Sequence, residues 1–390
     1  MPAHPRHEIV DHDQIGVYHC VVRCVRRAFL CGVDFASGRN LDHRKAWIRE
    51  RLQQLASIFG IEVCGYAVMS NHLHVVARIR PDLVQSWTDE EVALRWRRLF
   101  PTRDEATGQP TEPQDHDLAM ITSNPPRVAE IRDRLSSLSW FMRALNEPIA
   151  RRANREDQCT GRFWEGRFKS QALLDESAIL ACSVYVDLNP IRAGVAETPE
   201  ESEYTSAYDR IRSLQPAQAE AAAIEPARSE MLEASSAVVA ANAPVRPDAW
   251  LCELTLREGP GSEPANPEAS SAVARSAEEK SEPSLKRPRR RVSARASNQG
   301  FLPIEVEKYL SLLDWTGREL RAGKRGSIPA ALAPILERLG VNGEGWLETV
   351  RHFGRWFKRA AGRRDSLASA ATQAGRRWFQ GQCSAKLAFR

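Results

Sequence analysis

Apolar positions along the chain recur with two periods, and the order in which the periods alternate predicts the architecture. In GVYHCVVRC (16–24), Tyr18, Cys20, Val22 and Cys24 fall on one face and Val17, His19, Val21 and Arg23 on the other, the pattern of a first strand. Ile48, Leu52, Leu55 and Phe59 then recur at helical spacing, with Gly60 where a C-cap stands, which predicts a helix over 41–59. EVCGYAVM and HLHVVARI follow as two strand-like runs joined by the turn-compatible Ser70 and Asn71, a hairpin. In its second arm Leu73, Val75, Ala77 and Ile79 share one face, and His72, His74 and Val76 share the other. One face is core and the other carries imidazoles.

Residues 81–126 read as an insertion, with a short helix opened by Thr88 and Glu91 as a capping box and a polar, Pro-bearing stretch after it. Val128, Ile131, Leu135, Leu138, Met142 and Leu145 then form the stripe of one long amphipathic helix. GRFWEGRFKSQALL (161–174) alternates as a fourth strand, basic on one face. A helix capped by Asp175 runs from 176 until Pro190 disfavours its continuation, placing Ser177, Ala181, Tyr185 and Asn189 in one column. Strand, helix, strand, strand, helix, strand, helix suits an α+β layer, an antiparallel sheet with helices on one face.

Composition divides the 390 residues into three parts, a division expected of a chain too long for one ordinary core. A first domain spans 13–213. From 214 to 300 the chain turns to Ala, Pro, Glu and Ser with few aromatics, the signature of a disordered linker, and it closes in the basic run KRPRRRVSAR (286–295). From 301 to 390 aromatics return with helical patterning in EVEKYLSLLDW, IPAALAPILERLG and WLETVRHFGRWFKRA, which predicts a small, basic, helical C-terminal domain. The net charge of +5 favours an anionic partner. The eight cysteines are scattered without metal-site spacing, and no run approaches the ~18 apolar residues of a membrane span. A cytoplasmic protein with no membrane partner is expected.

His72 and His74 on one strand face, taken alone, fit a polar surface or an adventitious ion as well as a ligand pair. Tyr185 alone fits a half-buried helix tyrosine, and Asn189 alone fits a helix terminator before Pro190. Together they form a constellation with a use. Two imidazoles and an amide oxygen hold a divalent cation and leave positions open for substrate. A phenol, normally protonated with a pKa of ~10, then attacks a polarised phosphorus, and the resulting ester conserves the energy of the broken phosphodiester.

MSNHLHVVARI, GRFWEGRFKS and YVDLNPIRAG, with YHCVVR near the start, stand in an order that resembles the HUH single-strand DNA transposases with one catalytic tyrosine, most closely the REP-associated tyrosine transposase branch. The resemblance spans about residues 13–210. It implies a ferredoxin-like fold, cleavage of single-stranded hairpin or repeat DNA with Mg²⁺ or Mn²⁺, and a 5′-phosphotyrosine intermediate with a free 3′-hydroxyl. By position it makes Tyr185 the nucleophile and His72 and His74 metal ligands. Related insertion-sequence transposases place a glutamine one turn after the tyrosine as a further ligand, where this chain has Asn189. Compact insertion-sequence relatives pair as dimers while the REP-associated branch can act as monomers, so the assembly state stays open.

Basic and aromatic residues interleave between 162 and 169, a composition suited to single strands. Alternation sends Trp164 and Phe168 to the core, which leaves Arg162, Arg167 and Lys169 as candidate DNA contacts, with Phe163 undecided. Arg23 shares the imidazole face of the first strand, as does His19, for which a buried structural hydrogen bond is an equal alternative. Arg289, Arg290 and Arg291 in the basic run add a second candidate contact. The competing reading is a domesticated DNA-binding regulator without cleavage activity. On the sequence, residues 286–390 are expected to add DNA affinity and to be dispensable for chemistry, since His72, His74, Tyr185 and Asn189 lie upstream.

Overall fold

The computed structural model describes residues 10–11, 13–25, 30–33, 38–214, 246–256, 293–319 and 343–389. Five strands form one sheet: β1 (Gly16–Arg23), β2 (Ile61–Val68), β3 (His72–Ile79), β4 (Lys169–Leu173) and β5 (Ala360–Ala361), in the order β2-β3-β1-β4-β5. Neighbours are antiparallel except β4 and β5, which are parallel. β1 takes the central place because its alternation offers apolar side chains to both faces. Its register sets the site: His19 stands opposite Val76 and Gln171, Val21 opposite His74 and Lys169, and Arg23 opposite His72.

Tyr18, Cys20, Val22, Leu73, Val75, Ala77 and Ile79 face a first helical layer. Ile48, Leu52 and Leu55 of α1 (His43–Ile58) lead it. The stretch read as an insertion belongs to this layer. It holds α2 (Pro81–Ser86), α3 (Asp89–Leu99) and α4 (Asp115–Thr122), and it buries Val84, Val92, Trp96, Leu99 and Ile121 in the same core. Thr88 caps α3 by accepting from Glu91 N, but the Glu91 carboxylate pairs with Arg95 four residues on. The long helix expected from Val128 onward is two helices, α5 (Pro125–Ser136) and α6 (Leu138–Glu156). Ser137 is extended between them, and its hydroxyl accepts from Trp140 N as the cap of α6. A serine able to satisfy an orphan N–H lets the chain bend without interrupting the apolar stripe.

The other sheet face is also covered, which corrects the expectation of helices on one face. α7 (Glu176–Asp187), with Asp175 accepting from Ala178 N, lies on the side of Val17, Cys64, Ala67 and Val76. A short α8 (Asn189–Arg192) begins with Pro190 in its first turn, and α9 spans 206–214. α10 (Val306–Glu319) and α11 (Gly343–Trp356) bring Tyr309, Leu312, Trp346, Val350 and Phe353 into the core that α7 builds. β5 extends the sheet itself, and α12 (Arg364–Gln373) contributes Leu367 and Ala371. Residues 301–390 are therefore not a separate domain where the structure describes them. The reason is apolar area: α7 is buried on nearly every side, and without them its face away from the sheet would meet water. Tyr309 Oη donates to Asp187 Oδ2 at 2.5 Å, and Ser206 Oγ donates to Asp187 Oδ1 at 2.5 Å, which ties the covering layer to α7.

Part of the expected disordered linker is folded as well. Its few apolar residues are concentrated in AWLCELTL (249–256), of which Trp250, Leu251, Cys252 and Leu254 are buried. The 297–302 segment docks beside them: Arg78 donates to Gln299 O at 2.6 Å and Gly300 O at 2.8 Å, and its Nε donates to Glu62 at 2.5 Å. Residues 215–245 and 257–292, with Arg289, Arg290 and Arg291, lie outside the described residues, as does IPAALAPILERLG. All eight cysteines are free, and among the described residues no helix is long and apolar enough to cross a membrane. Removing 286–390 would strip a large share of one core, so such a truncation is expected to cost folding stability.

Gly300 has no room for a side chain: a Cβ there would stand 1.9 Å from the Thr255 carbonyl oxygen, which is backbone and cannot swing away. Gly300→Ala should destabilise the protein by about 1–3 kcal/mol, the usual scale for overpacking, measured by urea unfolding. An unchanged midpoint would show that this segment does not belong to the cooperative fold.

Candidate active site

Strand geometry places His72 and His74 on the same side of β3, and their rings meet edge to face with centroids 4.8 Å apart. On neighbouring β1 the same face carries His19, stacked on His74 with centroids 5.1 Å apart. α7 crosses this face, and the helical period that aligns Ser177, Ala181 and Tyr185 delivers the tyrosine ring above the imidazoles. Its centroid lies 5.9 Å from His74 and 6.1 Å from His19, edge-on to both. Residues 111 positions apart in sequence (185 − 74) thus share one pocket.

Each imidazole of the pair engages its Nδ1. His72 Nδ1 is 2.6 Å from Asn71 Oδ1, and His74 Nδ1 is 2.8 Å from His19 Nε2. His74 Nε2 is buried with no hydrogen-bond partner. Burial makes the charged forms expensive. It pushes His19 down to about 4 against the opposing influence of the nearby Gln171 amide, and His72 down to about 4 with help from the Arg23 cation. His74 is held well below the usual histidine range by burial first and by its two histidine neighbours next. All three are neutral near pH 7, the form in which imidazole is a metal ligand.

Tyr185 is half-buried, and α11 closes its far side. Phe353 packs on the ring at 5.6 Å, and a Cβ added at Gly354 would stand 2.9 Å from Tyr185 Oη. The Arg192 guanidinium lies 4.9 Å from the ring centroid and donates from Nη2 to Arg351 O at 2.7 Å. Burial raises the phenol's pKa, and the Arg192 charge works against it. The Asn189 amide also lies close enough to the phenol to favour its ionised form, while Asn189 Nδ2 is buried without a hydrogen-bond partner. No ring or hydrogen-bond contact joins Asn189 to either imidazole among the described residues, so its tie is to the tyrosine.

Arg192 was absent from the sequence reading, although a signal existed: it follows Tyr185 by seven residues, two helical turns, on the same column. Gln171, Phe353 and Gly354 were also missed. Nothing local marks Phe353 or Gly354 as neighbours of a residue so distant in the chain. Arg23 and Lys169 are exposed on the imidazole face, opposite His72 and Val21. Arg162 and Arg167 are exposed but precede β4, in a segment where only Trp164 makes a bridge, to Cys24. The expected fourth strand is thus confined to 169–173. Phe163 is buried beside Trp164 in the core, so it is not available to stack on a base. Among the described residues no group of three or more His, Cys, Asp or Glu side chains is arranged around one metal position.

No family model matches the chain, and no curated protein matches it. Among solved structures, a REP-associated tyrosine transposase bound to a REP hairpin aligns over 50% of this chain and 79% of its own, at 11% identity and a TM-score of 0.29. At that level the functional reading rests on the geometry of the site itself.

In the unfolded chain the imidazoles take up protons near pH 6.5, whereas in the fold His19 and His72 resist until about pH 4. The unfolded chain binds more protons throughout that window, so stability is full above it and should fall as pH drops from 6.5 to about 4. Urea midpoints across this range check the slope, which should flatten in a His19→Gln, His72→Gln variant. Gly354→Ala should displace the phenol, seen as shifted Tyr185 ring resonances in tyrosine-labelled protein that remains folded.

Proposed function

We propose that the chain is a metal-dependent nickase and strand transferase for single-stranded hairpin or repeat DNA, built on a ferredoxin-like HUH sheet. One observation carries this reading: a tyrosine phenol stands beside the neutral imidazoles of His74 and His19, His72 adjoins His74, and His74 Nε2 is buried and unpartnered. A core tyrosine needs no such neighbours, and a histidine pair kept for packing alone would have its buried nitrogens satisfied. His72 and His74 would hold the cation through Nε2, with the Asn189 amide as a further donor; once bound, the ion polarises the phosphate oxygens.

Tyr185 Oη supplies the electron pair that forms the new bond to phosphorus. The bond from phosphorus to the 3′ oxygen breaks, and that oxygen leaves with its electron pair. The phenol gives up one proton and the 3′ oxygen takes up one. The Arg192 cation favours phenolate character as the attack begins. It serves again on rejoining, when a 3′-hydroxyl attacks and the tyrosine oxygen leaves. Arg23 and Lys169 flank the imidazoles as exposed cations for the strand's phosphates, and Arg162, Arg167, Arg289, Arg290 and Arg291 are proposed as outer contacts.

A second reading has its own support. α11 lies against the phenol through Phe353 and Gly354, an enclosure that suits a DNA-binding regulator without cleavage. Labelled single-stranded hairpins incubated with Mn²⁺ or Mg²⁺ separate the two: the transferase leaves a covalent adduct that survives denaturation, and the regulator leaves none. Tyr185→Phe should abolish the adduct and keep DNA affinity within about twofold, since the exposed cations that contact the phosphates are untouched. His72→Ala should lose metal-dependent cleavage in the same way. Cleavage undiminished in Tyr185→Phe overturns the nucleophile.

A further inference from the structure

A row of buried polar side chains crosses three adjacent strands beneath the site. Gln171 on β4 stands directly opposite His19 on β1, with its side-chain amide near enough to the imidazole to favour a protonated ring nitrogen. His19 Nε2 in turn meets His74 Nδ1 on β3 at 2.8 Å. Gln171, His19 and His74 are all buried, so the direction of each bond is decided inside the protein.

A neutral imidazole has one N–H and one lone pair, so the row has two possible directions. With Nε2 of His19 committed to His74, Gln171 is left with Nδ1. If the Gln171 carbonyl oxygen accepts from His19 Nδ1–H, then His19 Nε2 accepts from His74 Nδ1–H, and His74 Nε2 carries a lone pair. If the Gln171 amide donates instead, both tautomers reverse and His74 Nε2 carries a proton.

Two observations select the first direction. His74 Nε2 is buried without a partner, so a proton there would be a buried donor with nothing to receive it. The positive charges of Arg192 and Arg23 also act on His74, and they favour a lone pair over an N–H. His72 follows the same rule independently: the Asn71 Oδ1 facing its Nδ1 can only accept, so its Nε2 too bears the lone pair.

We propose that Gln171 and His19 are positioning residues that hold His74 as the Nδ1–H tautomer, presenting Nε2 as a ligand for a divalent cation. Gln171 orients His19 and His19 orients His74, so an amide two strands away sets the cation affinity. This rests on reading the site as a metal site, and Mn²⁺ is the probe.

The test uses the full-length protein and two readouts. Imidazole nitrogen NMR of metal-free protein should show His74 protonated at Nδ1 and bare at Nε2. Gln171→Leu, which removes the acceptor at similar volume, should mix the tautomers and weaken Mn²⁺ binding by calorimetry about 10- to 100-fold, the scale of second-ligand partners generally. Gln171→Glu, which only accepts, should keep both the tautomer and the affinity, a rescue that a merely structural glutamine would not show. His74 protonated at Nε2 in the wild type, or Mn²⁺ affinity unchanged in folded Gln171→Leu, overturns the relay. Wild-type protein that binds no Mn²⁺ overturns the metal reading instead, while the tautomer result still decides the hydrogen-bond direction.

Discussion

Burial of the sheet on both faces is the constraint from which the rest follows. A half-exposed antiparallel sheet puts its polar residues in water. Here β2 and β3 are buried almost end to end, and β1 lies between β3 and β4 with helices above and below. Any polar group on those strands must find a partner within the protein or carry a penalty. His19 and His74 meet that requirement by bonding to each other across the strands, with the Gln171 amide opposite His19, and the atom left over, His74 Nε2, points to what the arrangement is for.

The same constraint explains why the second half of the chain is structural. α7 covers Val17, Cys64, Ala67 and Val76 on one side, and α10, α11, α12 and β5 complete the core on its other side. Asp187, buried at the end of α7, binds the two halves because its carboxylate takes hydrogens from Ser206, Ala207 and Tyr309. On β2 and β3 Glu62 and Arg78 do the equivalent for the 297–300 segment, a buried ion pair whose remaining N–H groups go to backbone carbonyls and the Cys252 sulfur. Charges buried this way fix a geometry more than they add stability.

Covering the sheet also shapes the chemistry. The layer that excludes water from the imidazoles keeps them neutral, and it presses Phe353 and Gly354 against Tyr185. Arg192 joins the phenol to the α11 backbone at Arg351, so the nucleophile's surroundings come from 185–192 and 351–354 together. An enclosed phenol needs a cation to ionise, and Arg192 is the cation in contact with it.

By itself the sequence determined what local physics decides. Alternation placed Tyr18, Cys20 and Val22 opposite His19 and Arg23, helical spacing drew α1 and α7, and Asp175 and Thr88 marked the caps of α7 and α3, because periodicity and capping involve residues within a few positions of each other. That much was enough to put His72 and His74 on one face and to suspect Tyr185. Tertiary structure alone decided which layers cover the sheet, that the stripe from Val128 breaks at Ser137, and that AWLCELTL folds within a segment whose composition reads as disordered. It alone brought Gln171 to His19 and Gly354 to Tyr185. Those outcomes depend on contacts between residues tens to hundreds of positions apart, which compete for the same buried area and leave no trace in any local pattern.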